Sequence, residues 1–209
     1  MLLFSRVVTL SGSPRRGLPW AVGITEYVNA HSDLAASLWS CTFGYPVGTL
    51  AWGAAVESQA ALADATAKLL VDDGYFDLLE QAQDLVAQPP QDSLRELVHG
   101  QADGPPPIGA VATITTATAL VDRMADALGW AVEIAQHITQ TIAAPVSVLT
   151  NVYGQMGEIT WIGSQPDLAA ADKARGALNA DADYLGRLAA TKELFIPGSG
   201  HTGQVTRIA

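Results

Sequence analysis

One pentapeptide occurs twice in the chain. Trp20-Ala21-Val22-Gly23-Ile24 returns as Trp130-Ala131-Val132-Glu133-Ile134 at an offset of 110 residues. At the same offset Tyr27 meets His137, and Phe43-Gly44 meets Tyr153-Gly154. One residue then drops out of the second copy. At an offset of 109, Gly48 and Trp52 meet Gly157 and Trp161. The series continues through Leu69 and Leu178, Asp72 and Asp181, Tyr75 and Tyr184, Leu79 and Leu188, and Leu85 and Leu194. The matches fall on Trp, Tyr, Gly and Leu and not on the abundant Ala, so they point to duplication. Residues 100–107, Gly-Gln-Ala-Asp-Gly-Pro-Pro-Pro, have no apolar face and read as a linker. The domain reading is therefore unit 1 at 1–99, the Pro/Gly linker at 100–107 and unit 2 at 108–209.

Within a unit the patterns are equally regular. Residues 4–10, rich in Val and Thr and followed by Ser11-Gly12-Ser13-Pro14, predict a strand and a turn. Residues 18–30 predict a helix. Pro19 suits its first turn, and Trp20, Ile24, Tyr27 and Val28 form one apolar stripe. Residues 34–43 and 49–56 read as a hairpin around Gly44 and Gly48. Ser58 caps a helix reaching about residue 71, which Asp72-Asp73-Gly74 ends. A shorter helix over 75–86 stops at Pro89-Pro90, and 93–98 is a fourth strand. The second half repeats the order. It has a strand at 110–116, a helix at 119–142, a hairpin of 146–153 and 158–163, a helix capped by Asp167, a short helix at 184–194 and a strand at 204–208. Each half is thus β-α-β-β-α-β with an extra short helix, the ferredoxin-like unit. Leu50, Trp52, Ala54 and Val56 alternate with small residues and not with charges, so both sheet faces need cover. The fold class is α+β, with the two half-sheets packed face to face.

This order and duplication resemble the dimeric α/β-barrel superfamily. That group includes antibiotic-biosynthesis monooxygenase, NIPSNAP-like and stress-responsive barrel proteins. The resemblance covers nearly the whole chain and rests on element order, without a short family motif. It implies two tandem ferredoxin-like units joined as a pseudo-dimeric α/β barrel. It also implies three classes of role. One is a small-molecule-binding protein or cofactor-free monooxygenase-like enzyme acting on an apolar substrate. The others are a haem-binding protein with a histidine ligand and a non-enzymatic structural or assembly module.

Charge and composition exclude other classes. A net charge of −10 repels phosphate, which argues against nucleic acid and anionic membranes as partners. No apolar run reaches the length of a membrane span, and no secretory signal pattern opens the chain, so a cytoplasmic protein and a homo-oligomer are the expectation. Cys41 is the single cysteine, so multi-cysteine metal sites are excluded. The four histidines, His31, His99, His137 and His201, follow no metal-ligand spacing. No metal and no resident cofactor are expected, haem being the alternative.

Of these histidines, His137 lies on the apolar stripe of the long helix, one turn after Glu133. A carboxylate there would orient the imidazole and favour its charged form. His137 and Glu133 are therefore the candidate catalytic pair, with Trp130, Trp161 and Tyr153 as candidate ligand-binding walls. Tyr27 and Gly23 hold the matching positions in the first half, so the second unit is expected to contain the pocket. The bland reading makes His137 a packed, hydrogen-bonded core residue and the tryptophans core anchors.

Overall fold

A computed structural model describes residues 1–101 and 104–209. Ala102 and Asp103 of the expected linker lie outside the described residues. The first unit comprises β1 (Leu2–Thr9), α1 (Pro14–His31), β2 (Ser37–Phe43), β3 (Thr49–Val56), α2 (Gln59–Leu69), α3 (Asp73–Ala82) and β4 (Gln91–His99). The second comprises β5 (Val111–Thr118), α4 (Met124–Ile142), β6 (Val146–Tyr153), β7 (Glu158–Gln165), α5 (Leu168–Ala180), α6 (Ala182–Ala189) and β8 (His201–Arg207). The eight strands close one barrel in the order β1-β3-β2-β8-β5-β7-β6-β4. The half-sheets do not simply stack. Their edges join through two antiparallel seams, β2 with β8 and β4 with β6. Closure removes exposed sheet edges.

All neighbouring pairs are antiparallel, so β1 and β5, four places apart, run the same way. The two units are therefore related by a half-turn about the barrel axis. Register decides the faces. Arg6 lies opposite Trp52 and Val8 opposite Leu50, and these point outward under the helices. Trp39, Cys41, Ala51, Ala112, Ile114, Ile162 and Val205 point inward and pack together. Burial pushes the Cys41 thiol up to about 12, which leaves it protonated and unreactive.

Several boundaries differ from the sequence reading, each for a local reason. α1 starts at Pro14, because Ser13 caps it by accepting the Arg15 N–H. Pro14 is thus the first-turn proline, and Pro19 sits inside the helix, where it has no N–H to give the Arg15 carbonyl. A short 3-10 turn at Val121–Arg123 precedes α4. β8 starts at His201, paired opposite Thr116, ahead of the strand expected at 204–208. Among the described residues no helix is long and apolar enough to cross a membrane.

Candidate functional site

The outer face of the first unit is incompletely filled. A cavity of about 620 Å³ lies between β1, β3 and the helices α1, α2 and α3. Trp20 and Ile24 enter it from α1, Trp52 from β3, Leu69 from α2 and Tyr75 from α3. Both indoles are fixed by the fold itself. The Trp20 Nε1–H donates to the Leu78 carbonyl at 2.8 Å, and the Trp52 Nε1–H donates to Thr25 Oγ1 at 2.7 Å. Neither needs a ligand, so both offer apolar faces and edges.

Among the described residues Arg6 alone brings a formal charge to the cavity lining. Its Nε donates to Asp92 Oδ1 at 2.7 Å and its Nη2 to Asp92 Oδ2 at 2.8 Å. This two-pronged bond is the main reason that the Arg6 pKa is raised. The guanidinium carbon also lies 5.8 Å from the Phe4 ring centre. Both partners are partly exposed, so the pair contributes no more than about 1 kcal/mol to stability. Its larger effect is to present a locally neutral, polar edge to an apolar cavity. Among the described residues no histidine, aspartate, glutamate or cysteine lines the cavity.

The same place in the second unit is occupied. Ser11 N–H bonds the Leu85 carbonyl and Ala87 N–H the Thr9 carbonyl. Leu120 with Leu194, and Ile196 with Thr118, repeat those two bonds. Leu10 bridges Val86 as Ala119 bridges Phe195. Val86 and Phe195 therefore occupy equivalent positions. The paired indoles are also alike in geometry: Trp20 and Trp52 are 5.9 Å apart at 81°, and Trp130 and Trp161 are 6.1 Å apart at 80°. The Phe195 ring lies against both of the latter, 5.6 Å from Trp130 and 6.0 Å from Trp161. In β5 and β8 the Arg6–Asp92 ion pair is replaced by Thr115 and Thr202, whose hydroxyls are 3.1 Å apart. α5 packs on α4, β7 and α6, while α2 finds its close neighbours in α1 and β3.

His137 belongs to a different arrangement. Its Nε2 is 2.8 Å from Asp181 Oδ2, and its Nδ1 is 3.5 Å from Asp183 Oδ2. Thr141 Oγ1 donates to the same Asp181 oxygen at 2.9 Å. The other Asp181 oxygen caps α6 by accepting the N–H groups of Asp183 and Tyr184. These bonds, led by the Tyr184 N–H, hold the Asp181 carboxyl down to about 2. The first unit has the same latch. Tyr27 Oη donates to Asp72 Oδ1 at 2.6 Å, and Asp72 caps α3 at Gly74 and Tyr75.

The structure thus pairs His137 with Asp181 and Asp183. Glu133, the expected partner, is exposed. Trp130 and Trp161 do come together, but around Phe195 in a packed core, with the Trp161 Nε1–H bonded to the Ala131 carbonyl at 3.0 Å. Tyr153 stands apart, 63% exposed, and donates to Gln59 Oε1. The cavity of about 620 Å³ lies in the first unit.

Two of the other three histidines are also engaged elsewhere. His31 stacks on Tyr27 at 3.9 Å, and His201 sets its ring against Tyr45. No histidine lines the cavity, so haem held by a histidine does not fit there. Among the described residues no group of three or more His, Cys, Asp or Glu side chains is placed to hold a metal ion. Arg6, Asp92 and Val86 do not stand out in the sequence by themselves. The repeat carries the signal for Val86, because it stands one place beyond the matched leucines, where Val faces Phe.

No protein-family model and no curated protein sequence matches the chain. Solved structures do. One is a protein provisionally named a monooxygenase from Fusobacterium nucleatum subsp. nucleatum ATCC 25586. It has a TM-score of 0.71 at 10% identity, over 100% of this chain and 92% of that one. An anthrone oxidase-like protein gives 0.69 at 12% identity, over 100% and 91%. A protein provisionally named a monooxygenase from Lactobacillus acidophilus NCFM gives 0.61 at 11%, over 99% and 93%. At such identities the likeness is one of fold. The chain has a dimeric α/β-barrel fold, with both ferredoxin-like units carried in one polypeptide.

Proposed function

We propose that the protein binds a small, largely apolar molecule in the first-unit cavity, with Arg6, held by Asp92, as a polar contact. The observation that carries this reading is an apolar cavity of about 620 Å³ beside two indoles whose N–H groups are already satisfied. That volume is in the range of small-molecule sites. The names monooxygenase and anthrone oxidase-like borne by proteins of this fold support a second reading, oxidation of the bound molecule. Cofactor-free oxygen chemistry needs a base for one proton. Among the described residues the lining offers only the Tyr75 phenol; Asp92 lies outside the lining, with both of its oxygens bonded to Arg6. Binding is therefore the primary role, and His137 serves as a helix latch outside the cavity lining.

The test combines native mass spectrometry of untreated protein with titration of Nile red. The expected result is one bound molecule per chain, and at least about tenfold weaker dye binding in Val86→Trp, which fills the cavity. Undiminished binding in that variant overturns the assignment of the site.

A further inference from the structure

The second unit carries its own occupant, and that occupant describes what the first unit takes. We infer that the cavity binds an aryl group, a single aromatic ring set edge-on against Trp20 and Trp52, and that residue 86 determines this specificity. The inference rests on the cavity being a binding site. Its added premise is the near-identity of the two tryptophan pairs, 5.9 Å and 81° against 6.1 Å and 80°. Between the second pair, Phe195 meets Trp130 at 72° and Trp161 at 62°, both edge-to-face. Aromatic quadrupoles favour that arrangement over a saturated ring of equal size. At the equivalent backbone position the first unit has Val86, which lines the cavity. Replacing phenyl by isopropyl leaves room for a phenyl group while keeping the walls that received it.

The rest of the ligand follows from the other differences between the units. Where the second unit has the Thr115–Thr202 hydroxyl pair, the first has Arg6 bonded to Asp92. Arg6 also lines the cavity, so a ring beside Trp20 and Trp52 has a polar edge within the same cavity. Because Asp92 offsets the arginine charge, the fitting substituent is neutral and hydrogen-bonding, such as a hydroxyl, and not an anion. The ligand class is therefore a neutral arylalkyl compound bearing a short polar tail.

The probes are 2-phenylethanol and 2-cyclohexylethanol, alike in length and tail and different in ring. Binding is read from the indole N–H resonances of the protein, assigned with single Trp→Phe variants. In the wild type, 2-phenylethanol should shift the Trp20 and Trp52 signals and leave those of Trp130 and Trp161 in place. It should bind about threefold to tenfold more tightly than the cyclohexyl probe. Val86→Phe should abolish those shifts. Phe195→Val, which gives the second unit the first unit's residue, should create a second site that shifts Trp130 and Trp161. Either variant suffices if the other fails to fold. Equal affinity for the two probes overturns the aryl subsite but leaves the apolar cavity intact. The aryl subsite is likewise overturned if 2-phenylethanol still shifts Trp20 and Trp52 in folded Val86→Phe. Failure of both probes to bind the wild type overturns the cavity assignment itself.

Discussion

Val86 and Phe195 hang from backbones that make the same hydrogen bonds, so the side chain alone distinguishes them. Phe195 closes a core with two indoles, and its truncation should leave a void. Phe195→Ala is expected to cost about 3 kcal/mol in chemical denaturation. Val86→Ala, beside space that is already open, should cost under about 1 kcal/mol. Equal costs would mean that the two positions pack alike. Asp181 gives a prediction in pH. Its folded value near 2 lies below its ordinary 3.8, so its contribution to stability is complete above about pH 4 and is lost as pH falls towards 2. Thermal unfolding followed from pH 5 to pH 2 should show a shallower acid decline in Asp181→Asn than in the wild type. An unchanged slope would remove Asp181 as a source of acid sensitivity. None of this is legible in residue types. Arg6 and Asp92 are 86 positions apart, and no local spacing announces their pairing. A cavity is also the absence of a side chain, which only comparison of the two copies reveals.

The long helices α1 and α4 are tied to the short helices α3 and α6 by equivalent bonds, Tyr27 to Asp72 and His137 to Asp181. The repeat matches both members of each pair in sequence, yet helical periodicity points to Glu133 as the partner of His137. The i to i+4 rule sees only neighbours on one helix. The stronger competitor is a capping carboxylate brought in from 44 residues away. The outcome is an element-level prediction: Tyr27→Phe and His137→Ala should lower the thermal midpoint by comparable amounts and leave Nile red affinity unchanged. A large loss of dye binding in His137→Ala alone would restore a functional role for that histidine. The elements themselves are readable because strands and helices are written twice, with Trp, Gly and Leu as fixed points. Their ends are less so. Pro14 and Pro19 both suit a first turn, and the Ser13 cap decides between them.

At the scale of the whole molecule, both seams join a β2-type strand to a β4-type strand of the other unit. A single unit therefore has two unpaired edges and the inward face of Trp39 and Cys41 uncovered. Residues 1–101 expressed alone should pair with a second copy through those same edges, giving a dimer by light scattering. A folded monomer would show that closure is not needed for stability. The closed barrel has a further consequence in heredity. In a barrel built from two identical chains, symmetry copies every substitution into both sites at once. Joining the units in one polypeptide frees each copy to drift on its own. One outer face could then be sealed with a phenylalanine while its twin stayed open, a division of labour that a symmetric pair of chains has no means to inherit.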